Sequence, residues 1–320
     1  MLALRSLYNR RLTAIMTMFS IAVSVALLLG VETIRTQAKN SFSSTITGTD
    51  LIVGARSGSV QLLLYSVFRI GNATNNITWK SYQDIAAQSS VDWTIPISLG
   101  DSHRGYRVLG TTTDYFKHYH YGRNHALAFR DGKQFDALHD VVLGAEVAKK
   151  LKYQLGQQVV ISHGTGSTSF TKHEDQPFIV VGILEPTGTP LDRTLHVSLA
   201  AIEAIHIDWQ FGAYIPGSGG KQSLSERKLE PKEITAVLVG LKSKMATFHL
   251  QRGINQYRQE ALQAILPGVA LQELWSMIGV VENILLIISA FVVATGLFGM
   301  LTVLLTSLNE RRREMAILRS

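Results

Sequence analysis

The chain contains no cysteine, so no disulfide can staple it, and any part that faces an oxidising compartment must be held by its core alone. Charge is scarce as well. Asp, Glu, Lys and Arg make up 17% of the residues, against about 25% in soluble domains. Proline occurs only 7 times, and Pro186 and Pro190 punctuate the middle of the chain. No short internal repeat is visible, which argues against a solenoid or propeller. With hydrophobic residues at 46%, the balance points to a membrane protein carrying a soluble part.

Two apolar runs are long enough to cross a bilayer. Ile284 to Leu308 is 25 residues without a charge, and at about 1.5 Å per residue it exceeds the roughly 30 Å of hydrocarbon. Arg311, Arg312 and Arg313 follow it, and such clusters mark the cytoplasmic side. Leu12 to Val31 is 20 uncharged residues behind Arg5, Arg10 and Arg11, which places its amino end inside as well. A cleaved signal peptide competes for this first run, with Thr36-Gln37-Ala38 as the cleavage site; the run is longer than the about 7 to 15 residues of a signal core. The expected organisation is a cytoplasmic amphipathic segment 1–11, a first span 12–31, an extracytoplasmic domain with stalk helices 32–277, a second span 278–308 and a cytoplasmic segment 309–320.

The net charge of +7 divides unevenly. Seven arginines in the two tails stand against Glu310 and Glu314 and supply +5 of it, leaving +2 for everything else. The basic excess is therefore a topology signal, and nucleic acid is not implied as a partner. Small residues recur in the spans: Ala22, Ala26 and Gly30 at four-residue spacing in the first, and Ala290, Ala294, Gly296 and Gly299 in the second. Such rows let another transmembrane helix, including one from a second copy, approach closely. The bland alternative is the small-residue content common to membrane helices.

Between the spans, Glu32 to Thr47 lacks Gly and Pro and reads as a helical stalk. Asp50 to Gly54 reads as a strand, Val60 to Ile70 as a helix with one very apolar face, and Thr78 to Gln88 as a helix capped by Thr78. The apolar segment Val60 to Ile70 suits burial in a core better than contact with a lipidic substrate. Ile95 to Leu99 and Tyr106 to Leu109 read as strands around a turn at Gly100-Asp101. Then come the strand Val141 to Leu143, the helix Ala145 to Leu151, the strand Gln158 to Ser162, a polar loop Gly164 to Gln176 and the strand Phe178 to Leu184. Leu195 to Ser198 leads into a helix Leu199 to Ile207, Ile234 to Leu241 is a strand, Thr247 to Ile265 a helix, and Leu271 onward a helix running into the membrane. Short strands alternating with helices predict a mixed α+β domain.

Catalytic chemistry has no positive support. Gly217-Ser218-Gly219-Gly220-Lys221-Gln222-Ser223 contains a Gly-Lys pair, but Ile215 stands where a phosphate-binding loop needs its first glycine and Gln222 where it needs a hydroxyl. His118, His120 and His125 form the densest histidine group; in a strand the first two would share a face, yet no Cys or fixed carboxylate joins them, and surface histidines in a polar loop are the plainer reading. No Gly-x-Ser-x-Gly elbow lies between a strand and a helix. No catalytic residue, metal or cofactor is expected.

The carboxyl-terminal segment stands out. As a helix, Glu310 to Ser320 would put Met315 and Leu318 together, with Ile317 beside them and Arg312, Arg313 and Arg319 on the flanks. That is a short amphipathic helix continuing a span; an ordinary stop-transfer anchor lying on lipid is the alternative.

Glu310-Arg311-Arg312-Arg313-Glu314-Met315-Ala316-Ile317-Leu318-Arg319-Ser320 resembles the cytoplasmic segment after the second span of ABC transporter permeases related to MacB, LolC, LolE and FtsX. Val141-Val142-Leu143-Gly144, the helix after it, Leu155-Gly156 and Phe178 to Leu184 are similar to the same family's external domain, as is the order of span, domain, span. The resemblance implies a MacB-like periplasmic α+β domain, an inner-membrane permease subunit with both ends in the cytoplasm, and an ATPase on a separate subunit. It makes Glu310, Arg311, Arg312, Arg313, Glu314, Met315, Ile317, Leu318 and Arg319 the segment that couples to that ATPase, and two permease subunits the expected pair. Family members have four spans, so a chain that stops after two reads as truncated. The implied mechanism is mechanotransmission, with a lipoprotein, lipid, peptide or drug as substrate or with a periplasmic partner. A bitopic sensor or scaffold that activates an envelope hydrolase is the alternative.

Overall fold

The computed structural model describes residues 11–43, 45–164, 177–206, 209–210, 213–214 and 229–317. The chain divides into two compact units, one of Met1–Asn40 with Leu274–Ser320 and one of Ser41–Glu273. The second is the expected α+β domain, built on a mixed sheet of eleven strands. In chain order these are β1 (Leu51–Ala55), β2 (Val91–His103), β3 (Tyr106–Thr111), β4 (Phe129–Gly132), β5 (Asp140–Leu143), β6 (Gln158–Val159), β7 (Ser162–His163), β8 (Phe178–Leu184), β9 (Thr194–Ser198), β10 (Ala236–Leu241) and β11 (Leu262–Ile265). Across the sheet the order is β11-β1-β10-β2-β3-β9-β5-β8-β4, with β7 added on β2 and β6 on β8. Strands β3 with β9 and β5 with β8 run parallel.

The helices are α1 (Arg11–Ser43), α2 (Ser59–Ser66), α3 (Trp79–Ala86), α4 (Asp114–His118), α5 (Ala145–Leu151), α6 (Leu199–His206), α7 (Thr247–Asn255) and α8 (Pro267–Ile317). Strand alternation sorts them onto the two faces. Leu51 and Val53 of β1, with Val237 and Val239 of β10, pack against Ile85 of α3 and Leu250 and Ile254 of α7. Further along the same face, Val141, Leu143, Leu195 and Val197 pack against Val147 of α5 and Ile205 of α6. The residues in between, Ile52, Leu238 and Val142, turn to the other face and meet Leu62 and Leu63 of α2 and Tyr115 and Phe116 of α4. The sheet is therefore covered on both sides, and each fully buried Leu or Ile contributes about 1.5–3 kcal/mol.

Several expectations hold closely. Thr78 caps α3, its hydroxyl accepting from the Ser81 amide at 3.3 Å. The apolar face of the 60–70 segment is core, with Leu62, Leu63, Val67 and Phe68 buried.

Others are corrected. The stalk helix stops at Ser43 rather than Thr47, because the chain there finds partners in the domain: the Thr47 amide donates to the His120 carbonyl at 3.0 Å and the Tyr119 hydroxyl to the Thr45 carbonyl at 2.7 Å. The turn expected at Gly100-Asp101 lies at Arg104-Gly105, both with positive φ (47° and 85°), as a tight hairpin turn requires. Strand β2 continues through Asp101, Ser102 and His103 because all three are buried, and the His103 ring bonds the Val160 carbonyl at 2.6 Å and the Tyr153 hydroxyl at 3.0 Å. The strand expected at Gln158–Ser162 is split between β6 and β7.

The helix expected over Thr247–Ile265 ends at Asn255 and gives way to β11. Asn255 turns the chain, since its side chain accepts from the Ala264 amide at 2.7 Å while its carbonyl accepts from Arg56 at 2.6 Å. Burying Leu262 and Ala264 alongside β1 outweighs the helical preference of Leu, Gln and Ala.

Among the described residues one helix is long and apolar enough to cross a membrane, the Pro267–Thr302 part of α8. The other expected span falls in α1, where the apolar stretch among described residues, Ile21–Thr33, is shorter.

Candidate functional site

Helix α8 carries Glu310, Arg311, Arg312, Arg313, Glu314, Met315 and Ile317 without a break in its hydrogen-bond ladder, while Leu318 and Arg319 lie outside the described residues. Of the small residues, Ala22, Ala26, Ala290 and Gly299 are exposed, and Gly30, Ala294 and Gly296 are half-exposed. A methyl group placed on Gly30 or Gly299 would meet nothing within 4 Å.

The histidine group does not form one strand. His118 ends α4 and stacks on Trp93, with ring centroids 5.2 Å apart; His120 turns back so that its Nδ1 contacts the His118 carbonyl oxygen at 2.9 Å; and His120 and His125 lie on the two strands of a short ladder, opposite Ala126 and Tyr121 respectively. Among the described residues no three or more His, Cys, Asp or Glu converge on a metal-sized site. The Gly217–Ser223 segment lies outside the described residues.

Sequence reasoning missed a cavity of about 600 Å³ in the sheet domain. Its walls come from the segment after α2 (Phe68, Arg69, Ile70), the turn and start of β3 (Gly105, Tyr106, Arg107), and the turn Gly188–Arg193, with Thr45 and Glu146 completing it. Arg69 sits in the left-handed region (φ 60°), a conformation that costs a non-glycine residue energy. Its guanidinium donates to the Ser66 carbonyl and lies 3.4 Å from the Tyr115 hydroxyl. Arg107 donates to the Gly71 carbonyl at 2.8 Å. Burial, and then the charge of Arg69, hold the Arg107 guanidinium below its usual range.

The carboxylates on the wall are already engaged. Asp192 accepts from the Thr187 and Gly188 amides, both at 2.8 Å, and from the Thr187 hydroxyl at 2.8 Å. Glu146 faces Arg193 at 3.7 Å, and Arg193 lies over the Tyr106 ring, 5.9 Å from its centroid.

An aromatic cluster adjoins Arg69 through the Tyr115 hydroxyl. Alternation in β9 turns His196 away from Leu195 and Val197 toward Tyr115 and Phe116, at ring distances of 5.2 and 6.0 Å. The imidazole is fully buried, and neither nitrogen makes a well-formed hydrogen bond among the described residues. Burial first and Arg69 second push its pKa down to about 3, against the Val142 backbone. Burial also raises the Tyr115 hydroxyl to about 12.

Residues 14–257 match the family model of the MacB-like periplasmic core domain. The chain belongs to that family. The MacB-like domain is a component of ABC-type transporter permeases. Among solved structures, the periplasmic region of MacB from Actinobacillus actinomycetemcomitans is similar at 12% identity, with 72% of this chain and 94% of that one covered and a TM-score of 0.44. The extracellular domain of the noncanonic ABC-type transporter YknZ from Gram-positive bacteria is similar at 15% identity, with 68% and 99% covered and a TM-score of 0.39. No curated protein matches the chain.

Two glycines in the segments that carried the resemblance have a physical reason in this MacB-like domain. A Cβ on Gly144 would lie 2.2 Å from the Leu191 carbonyl oxygen, and one on Gly182 would lie 2.2 Å from that of Lys133. Gly144 thereby lets α5 start against the 190–193 turn that walls the cavity. Strand β11 lies beyond the matched residues, yet it pairs with β1 inside them.

Proposed function

We propose that this chain is a membrane subunit of an ABC transporter of the mechanotransmitting type. In this reading a separate cytoplasmic ATPase hydrolyses ATP, two permease subunits pair through the small-residue rows, and movement of the spans rearranges a periplasmic domain that handles a lipoprotein, lipid, peptide or drug. Both Leu12–Val31 and the apolar part of α8 span the inner membrane, and both ends lie in the cytoplasm. The observation that carries the reading is the family match over residues 14–257, followed in chain order by an apolar helix that continues into the arginine triplet. The geometry of the domain's own ends supports it. β1 and β11 are neighbours, with Ile52 opposite Ile265, so the chain enters and leaves the sheet at one place, and two tethers moving against each other would act on a single edge.

The test is to express the chain, with whatever further spans its gene encodes, together with its ATPase in proteoliposomes, and to replace Met315 and Leu318 by Asp. Hydrolysis is expected to persist while transport is lost and the domain's melting stays unchanged. Coupling that survives both substitutions refutes the assigned foot. Purification without any nucleotide-binding partner would favour a bitopic sensor or scaffold instead.

A further inference from the structure

We propose that the cavity between the segment after α2 and the Gly188–Arg193 turn is a binding site for an oxyanion, a phosphate or carboxylate group, carried on an apolar body. Two guanidinium groups, Arg69 and Arg107, share its wall. Among the described residues no carboxylate lies within 4 Å of either. The two carboxylates that line the cavity are spent elsewhere, Asp192 on the Thr187–Gly188 turn and Glu146 on Arg193.

Arg69 and Arg107 each use one nitrogen on a backbone carbonyl, Ser66 and Gly71 respectively. The Nε and Nη1 of Arg107 and the Nε of Arg69 keep donors without a partner among the described residues. Two like charges held half-buried repel each other, and an anion between them relieves both the repulsion and the unmet donors. A planar guanidinium with spare donors is matched to the two-oxygen edge of a carboxylate or phosphate.

The rest of the lining sets the body of the ligand. Phe68, Ile70 and Pro190 give apolar contact, and Ile70 is 51% exposed although its neighbour Phe68 is buried. The volume, about 600 Å³, falls in the roughly 300–1,000 Å³ range of small-molecule sites. A free phosphate and the headgroup of an anionic amphiphile share the recognised chemistry and differ in the need for this apolar wall. The inference rests on the sheet domain alone, so its failure would leave the coupling reading of α8 untouched.

The experiment titrates the full chain, in an uncharged detergent, with inorganic phosphate, octyl phosphate and octyl glucoside, read by calorimetry. Arg107→Gln is compared with Arg130→Gln, which removes an equal charge from the exposed strand β4. Octyl phosphate is expected to bind, octyl glucoside not, and Arg107→Gln to weaken binding by about tenfold or more, as loss of a charge-assisted hydrogen bond does; Arg130→Gln should bind as the parent does. Arg107→Lys, which keeps the charge but loses the fork, should also bind more weakly, and it serves if the glutamine variant does not fold. Dependence on the octyl chain supports the proposal, while inorganic phosphate binding as tightly as octyl phosphate would keep the anion contact and overturn the apolar body. A folded parent that binds neither anion, or Arg107 variants that bind like Arg130→Gln, would overturn the proposal.

Discussion

The two units use the same apolar residue types in opposite ways. In the sheet domain Leu62 and Leu238 are buried to within 1%, reached by alternation along short strands and by one face of short helices. In the helical unit Leu286 and Phe298 are 58% and 69% exposed, along a run with no polar face to hide behind. The domain is thus stabilised by removing apolar surface from water, whereas the Pro267–Thr302 part of α8 is long and apolar enough to suit a solvent that is itself apolar. Pattern, more than composition, decides which medium each unit needs.

That contrast is most sharply broken by one substitution made in both units. Leu238→Ala, in the middle of the sheet, should lower the domain's unfolding free energy by about 2–5 kcal/mol. Leu286→Ala should leave the same denaturant transition, followed by tryptophan fluorescence, within about 0.5 kcal/mol. Equal effects would mean that the two units share one core.

Acid should act on the domain through His196, and the sign follows from burial. The folded imidazole titrates near pH 3 and the unfolded one near 6.5, so between those values the unfolded chain binds the extra proton and stability falls as pH falls. At pH 4 the loss is on the order of 3 kcal/mol relative to pH 7, at 1.36 kcal/mol per unit. His196→Phe should flatten that part of the curve of melting temperature against pH; an unchanged slope would locate the acid sensitivity elsewhere.

Gly144→Ala puts a methyl group against backbone that cannot step aside, and a loss of about 1–3 kcal/mol is expected in chemical denaturation. Gly299→Ala, with open space around it, is the matched control in the helical unit. Among the changes made inside the sheet domain the smallest effect belongs to Thr78→Ala, which removes the cap of α3 and should cost about 1 kcal/mol.

Local pattern made part of this fold legible. The helix Ala145–Leu151 and the strand Phe178–Leu184 have the bounds read from sequence, because a glycine start and a dense β-branched run are local signals. β11 was hidden because Leu262-Gln263-Ala264-Ile265 becomes a strand only through β1, about two hundred residues earlier in the chain. The turn was misplaced because Gly100-Asp101 looks like a turn, whereas Asp101 is held inside by contacts with distant residues such as His206, 3.6 Å away. The arginine cavity was illegible for the same reason, since Arg69 and Arg107 meet through tertiary packing. One signal was available: Arg69 is the only charge in Val60 to Ile70, and a cation closing so apolar a segment invites the question of what it faces.

The position of β1 between β10 and β11 also constrains how the molecule can be made. A strand whose two neighbours lie about two hundred residues further along the chain has to wait, edges unpaired, until Ile265 has emerged. Such long-range closure is slow and leaves the nascent chain open to wrong pairings. Until that closure the edges of β1 are the part of the domain open to wrong pairing.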